Sequence, residues 1–288
     1  MKTTNSWGLP QFLVSAASDE YPPKENEIRV TTLIGPPLIR RLLIDKWDEL
    51  TVDAAEKLYM LLGQGVHSLQ EKYETSDSTE ERICAEVDGL VVTGQSDVYH
   101  KGVIEDLKVT TVRVNSFIEN KRDWEEQLNC YAWLWRMNEK EVRKLLMRVF
   151  YRDWHLKDFA VYKKHEYPPV PYAYSEVNLW SFEEQDAFIR KRVRIHKEAK
   201  DKTYKEIECS NEDKWFKPDR YAVKTKKASK ARRVLDTYDE AQAWIKQNVK
   251  AADQLKATIE HRPGTCDRCK LYCGVRSICP FSENPHII

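Results

Sequence analysis

The sequence predicts an α/β fold, a sheet set between helices, followed by a smaller C-terminal extension. Three observations predict it. Hydrophobic spacing switches from helical to strand period, back to helical and again to strand between residues 53 and 154. The 288 residues, 41% hydrophobic and 32% charged, suit one large or two ordinary globular domains with a sizeable core. Four of the seven cysteines fall within fourteen residues, Cys266 to Cys279, and set the chain's end apart.

The elements follow in order. Asp53 and Glu56 are spaced as a capping box, opening an amphipathic helix to about Tyr73 with Leu58, Leu62, Val66 and Leu69 on one face. From Arg82 to Val109 the period becomes two, through Ile83, Ala85, Val87 and Val91, around Gly94 and Gly102, which predicts strands. Trp124, Leu128, Ala132 and Trp135 fit a second helix, and Val142 to Trp154 another strand. Pro168, Pro169 and Pro171 mark a connection, after which Ser181 and Glu184 cap a helix. Thr237 and Glu240 open a last helix, expected to run to roughly Ile259 and deliver the chain to the cysteines. The expected division is a core over residues 1–200 and a helical extension over 201–288 packing back on it.

Composition excludes several classes. With 47 Lys plus Arg against 46 Asp plus Glu, the net charge is +1, which argues against a protein that coats DNA indiscriminately. The longest apolar run, Cys130 to Trp135, is far short of the roughly 20 residues a membrane span needs. Met1 to Ser18 lacks a basic lead and a long apolar stretch, so no signal peptide and a cytoplasmic location are expected. Seven cysteines, an odd number, make a disulfide framework a poor reading.

The segment Gly94 to Lys108 carries the chemistry. If Lys101-Gly102 is a two-residue turn, paired positions reflect about its centre and Asp97 falls opposite Asp106. Their Cβ atoms would then be about 5 Å apart, and like charges so placed destabilise a sheet unless a cation neutralises them. Alternation puts Lys108 on the face of Asp106, with Glu105 and Leu107 on the other. Oxygen-rich sites of this kind suit Mg²⁺ or Mn²⁺ and phosphodiester cleavage, with Lys108 orienting water or stabilising charge on the phosphate.

Asp97 with Asp106-Leu107-Lys108 resembles the signature of the PD-(D/E)XK nuclease superfamily. Gln127-Leu-Asn-Cys-Tyr131 is similar to the Gln-x-x-x-Tyr motif of its RecB-like branch, and Gly63-Gln-Gly65-Val-His67 to that branch's glycine-preceded histidine. Order and approximate spacing agree across residues 63–131. The resemblance implies a central mixed sheet flanked by helices, and a metal held by His67, Asp97, Asp106 and the Leu107 carbonyl. It also implies Lys108 as catalytic, with Gln127 and Tyr131 bracing it or touching substrate. Residue 96 is Ser, so the eponymous proline is absent, as is usual in this branch.

Cys266, Cys269, Cys273 and Cys279 supply enough thiolates for tetrahedral Zn²⁺ or a [4Fe-4S] cluster. RecB-like helicase-nuclease subunits, CRISPR-adaptation nucleases and phage-encoded members resemble this end of the chain. They imply an iron–sulfur cluster in which Cys209, ahead of Trp215, joins Cys269, Cys273 and Cys279, whereas proximity favours Cys266 as the fourth ligand.

Between Lys214 and Arg233 nine basic residues face one acidic residue, with aromatic rings interleaved. Lys214, Trp215, Lys217, Arg220, Tyr221, Lys224, Lys226 and Lys227 are candidate DNA contacts, cations for phosphates and rings for unpaired bases. The expectation is thus a Mg²⁺- or Mn²⁺-dependent deoxyribonuclease, an exonuclease by resemblance, leaving 5′-phosphate and 3′-hydroxyl ends. It would act on single strands or duplex ends in phage or bacterial replication, recombination or degradation of DNA, alongside replication or recombination proteins. Alternatives are an endonuclease of the same fold and a non-catalytic nucleic-acid-binding or assembly protein.

Overall fold

A computed structural model describes residues 1–75, 78–79, 81–162, 167–225 and 230–282. They divide into two compact units, Met1–Ile207 and Glu208–Ile288. Lys226 and Lys227 lie outside the described residues.

The first unit is mixed α/β. Its labelled elements are β1 (Glu27–Arg29), α1 (Leu58–Tyr73), β2 (Arg82–Val87), β3 (Leu90–Gln95), β4 (Val98–His100), β5 (Val103–Thr110), α2 (Arg122–Met137), β6 (Lys144–Tyr151), β7 (Tyr172–Val177) and α3 (Phe182–Glu198). Two sheets replace the single one expected, beside a short parallel pair of Lys2–Thr4 with Thr51–Asp53. One is mixed, in the order β7-β6-β5-β4 with Ser78–Thr79 beyond β4; β5 and β6 run parallel and the other pairs antiparallel. The other is β1-β3-β2, with β1 parallel to β3. The split falls after Gln95, where β3 ends and Ser96 and Asp97 step out of the ladder before β4.

Both hairpins close as their turn residues dictate. Asp88-Gly89 and Lys101-Gly102 have positive φ at both positions, the conformation of a two-residue turn matched to strand twist. α2 is the crossover between parallel β5 and β6. It buries an unbroken run from Gln127 to Trp135, and Leu128, Trp133 and Leu134 join Ile104, Leu145 and Met147 in one core. Each such fully buried apolar side chain contributes about 1.5–3 kcal/mol. α3 starts at the Ser181–Glu184 capping box, both of whose hydrogen bonds form.

α1 departs from expectation. Asp53 caps a 3₁₀ turn, Ala54–Lys57, through the Ala55 N–H, and the α-helix begins only at Leu58. No residue of α1 is buried, and of the expected core stripe Leu62 is 45% and Leu69 59% exposed. Leu69 lines one of two clefts that flank the helix.

The second unit is not simply helical. An antiparallel sheet, β9-β8-β10, is formed by β8 (Arg220–Thr225), β9 (Arg233–Leu235) and β10 (Ala257–Arg262). α4 (Tyr238–Asn248) opens at the Thr237–Glu240 capping box but stops eleven residues before Ile259. Val249 takes extended backbone, and Ile259 instead pairs with Val223 in the sheet. Phe216–Lys217 pairs with Thr265–Cys266.

Candidate active site

The site forms where β4 and β5 meet α2 and α1. Paired residues of the hairpin are Val98 with Glu105, Tyr99 with Ile104 and His100 with Val103, the reflection expected about Lys101-Gly102. Asp97 lies one residue before the first of these pairs, and its carboxylate accepts the backbone N–H of Leu107. Ser96 beside it accepts the Trp135 indole N–H at 3.1 Å, and Tyr99 stacks on the same indole at 4.3 Å. Asp97 and Asp106 are both buried.

Neighbouring side chains converge on the two carboxylates. Lys108 Nζ is 2.7 Å from Asp106 Oδ2, an ion pair away from the angles of an aligned hydrogen bond. Gln127 donates both amide hydrogens, to Asp106 Oδ1 at 3.2 Å and to Tyr131 Oη at 2.8 Å. Residues four apart share a helix face, so α2 delivers Gln127 and Tyr131 together. From α1, His67 Nδ1 comes within 3.2 Å of Asp97 Oδ1.

The electrostatics follow from burial and like charge. Burial raises the Asp106 carboxyl, Lys108 pulls it down and Asp97 pushes it up, with a net rise. Burial alone would depress the Lys108 amine, but Asp106 outweighs it, so Lys108 is held protonated. Burial, then the Asp106 charge, keeps the Tyr131 hydroxyl neutral.

A cleft of about 560 Å³ opens beside these groups, and His67, Asp97 and Tyr131 line it. Sequence reasoning missed the rest of its wall: Arg29 from β1, Arg82 from β2, and Gln64, Ser68 and Glu71 from α1. Gln64, His67, Ser68 and Glu71 are spaced i, i+3, i+4, i+7, a polar helix face readable as such in the sequence. Gly94 lines the cleft as well, and a Cβ there would lie 2.6 Å from Leu134 and 2.9 Å from Tyr131.

Two carboxylates and an imidazole are the donor set of a hard divalent cation, and Asp106 Oδ2 is buried and accepts no hydrogen bond. Residue types therefore fit Mg²⁺ or Mn²⁺. Among the described residues, however, no three His, Cys, Asp or Glu side chains already stand in metal-holding geometry.

In the second unit, Cys209, Cys266, Cys269, Cys273 and Cys279 are free thiols, each partly exposed. Burial pushes Cys209 up to about 12, followed by Asp213 and by Cys273, Cys269 and Cys279. Cys269 is raised by burial and then by Cys273, Cys266 and Cys279. Burial and neighbouring charge thus keep these thiols protonated, and a bound cation would offset both.

The basic segment is a strand as much as a loop, since Arg220, Tyr221 and Lys224 lie in β8. Four of its nine cations are paired with acids: Lys214 with Glu208, Lys217 with Asp267, Arg220 with Asp236 and Lys224 with Glu260. Trp215 and Phe216 are exposed, but Tyr221 is partly covered by His261 and Tyr238.

Fold and site together define a two-unit chain with an α/β unit holding two buried aspartates and a partly exposed lysine at the edge of a cleft. No protein-family model matches the chain, and no curated protein is detectably similar. Among solved structures, SSO0001 is similar over 66% of this chain and 83% of its own, at 19% identity and a TM-score of 0.44. A phage-related exonuclease from Haemophilus somnus 129PT is similar over 51% of this chain and 70% of its own, at 16% identity and 0.33. A candidate exonuclease from Eubacterium rectale is similar over 51% and 55%, at 16% identity and 0.30. Among the described residues no helix is long and apolar enough to cross a membrane.

Proposed function

We propose that the chain is a Mg²⁺- or Mn²⁺-dependent deoxyribonuclease of the PD-(D/E)XK type, RecB-like branch, acting as an exonuclease in DNA replication, recombination or degradation. The observation that carries this reading is the convergence of Asp97, Asp106 and Lys108, with His67 on one carboxylate and Gln127 on the other. His67, Asp97, Asp106 and the Leu107 carbonyl would hold the ion. Such an ion supplies Lewis acidity toward a phosphate oxygen and lowers the pKa of water.

The chain's own groups do the rest. Lys108 keeps its proton beside Asp106 and presents positive charge where a phosphate gains negative charge. Gln127 fixes Asp106 and, by donating to Tyr131 Oη, leaves the tyrosine O–H free to point toward substrate in the cleft. The expected products are a 5′-phosphate and a 3′-hydroxyl. Cys209, Cys269, Cys273 and Cys279 are proposed to hold a [4Fe-4S] cluster, with Zn²⁺ and Cys266 as the alternative metal and ligand. In the second unit Lys214, Trp215, Lys217, Arg220, Tyr221, Lys224, Lys226 and Lys227 are proposed to contact DNA, with phosphates replacing the acids that pair with Lys214, Lys217, Arg220 and Lys224.

The test is hydrolysis of end-labelled linear and closed circular DNA, single- and double-stranded, with Mg²⁺ or Mn²⁺. An exonuclease shortens the linear forms and spares the circles. Cleavage of circles would make the enzyme an endonuclease, and binding without cleavage of any form would make it a binding or assembly protein.

A further inference from the structure

The second cleft, about 370 Å³, lies on the far side of α1 from the first. Leu69 and Tyr73 of α1 form one wall; Leu107, Phe150 and Tyr172 of the mixed sheet form the other, with Phe150 and Tyr172 paired across β6 and β7. Gln70 sits between them. Its amide nitrogen and oxygen are both buried, and neither has a hydrogen-bond partner. Leaving a carboxamide unpaired in this way is costly, and a conformation that keeps it points to a ligand offering a donor and an acceptor side by side. Arg148, the cation on the wall, is engaged by Glu74 and Glu105, so the cleft offers no free charge to a phosphate.

Flat aromatic walls, no free cation and one unpaired carboxamide together describe a receptor for a neutral, hydrogen-bonding ring. Every nucleobase presents a neighbouring donor and acceptor on its edge, and stacking on Tyr or Phe tolerates any base. Leu107 joins this cleft to the catalytic groups: its side chain lines the cleft while its backbone N–H is held by Asp97. We infer that the cleft between α1 and the β6–β7 pair takes one unpaired nucleobase of a single-stranded substrate, stacked against Phe150 and Tyr172 and read by the Gln70 carboxamide once its side chain turns into the cleft. The inference rests on the nuclease reading above and adds to it a preference for unpaired strands.

The experiment uses a labelled single-stranded oligonucleotide with an abasic residue stepped along it, and binding is followed by fluorescence anisotropy in metal-free buffer. The wild-type chain is expected to lose about tenfold in affinity when the abasic residue occupies one particular position. Gln70→Leu, close in size, and Tyr172→Ala, at a partly exposed position, should weaken the intact oligonucleotide by a similar factor and no longer sense that position, with unchanged circular dichroism. If the wild type cleaves DNA but abasic residues act equally everywhere, or if the two variants sense the position as the wild type does, the base pocket is overturned and the nuclease reading stands. If the chain neither binds nor cleaves nucleic acid, both fall.

Discussion

Asp97 accepts the backbone N–H of Leu107, so the carboxylate contributed by the start of the hairpin is tied to the strand that carries Asp106 and Lys108. The two acids are thereby held together despite their like charge, and Lys108 and His67 are the groups that offset it. Four consequences can be measured.

Lys108→Ala should lower nuclease activity by about 100-fold or more, the size expected when a positioned charge that stabilises a transition state is removed. Far-ultraviolet circular dichroism should still show the native fold, because the Lys108 side chain is 28% exposed, while the loss of the cation beside buried Asp106 lowers stability. Activity equal to wild type would remove Lys108 from the site.

Gly94→Ala should destabilise the first unit by about 1–3 kcal/mol, the usual cost of overpacking. The added Cβ would meet Leu134 Cδ1 at 2.6 Å and Tyr131 Cδ1 at 2.9 Å, and the Tyr131 ring would be displaced from the cleft. Urea titration should show the loss, and combining the substitution with Leu134→Ala should cost less than the sum of the two single losses, since the truncated side chain no longer meets the added Cβ. A stability equal to wild type for the single variant would contradict the close approach.

His196 predicts an acid-sensitive fold. Its ring is 3% exposed and its Nε2 bonds the Leu33 carbonyl at 3.0 Å; burial first, then Arg192, pulls its pKa down to about 4 from the ordinary 6.5. An unfolded chain binds the proton below pH 6.5 and the folded chain only near pH 4, so stability falls as pH drops through that window. The loss amounts to about 3 kcal/mol. Comparing unfolding free energies at pH 7 and pH 4 for wild type and His196→Gln should show a smaller drop in the variant, which has no titrating ring. Equal drops would mean that His196 does not titrate as described.

Cys209→Ala should lower bound metal and Cys266→Ala should leave it largely unchanged if the proposed Cys209, Cys269, Cys273 and Cys279 set holds the cluster; Cys273, Cys269 and Cys279 act on Cys209, and Cys266 acts on Cys269. Purified wild-type chain is expected to be brown, with iron and sulfide in equal amounts. A colourless chain with stoichiometric zinc would replace the cluster by Zn²⁺. Metal loss in Cys266→Ala but not in Cys209→Ala would exchange the two ligands.

What could be read from the sequence was local. Lys101-Gly102 fixes the β4–β5 register because a two-residue turn admits one reflection, and the Gln127–Tyr131 pairing follows from helical spacing alone. Capping boxes at Ser181 and Thr237 located two helix starts to the residue, since both partners lie within three positions. Long-range partners were not legible. Ile259 continues an acceptable helical pattern and becomes strand only because β8 is there to pair with it. Lys217 and Arg220 read as free cations until Asp267 and Asp236 are brought beside them. Leu62 and Leu69 fit an apolar stripe, yet periodicity says which residues share a face and not whether anything covers it.

The two halves of the proposed metal site therefore differ in how firmly they are held. Asp106, Lys108, Gln127 and Tyr131 belong to one strand–helix–strand unit whose helix is almost wholly enclosed, whereas His67 rides on a helix with no buried residue. Backbone amides of α1 should exchange with deuterium well before those of α2, since few buried contacts oppose local opening there. The imidazole then arrives at an acidic pair that is already in place, and any ligand that gathers all three must also quieten the helix that brings it.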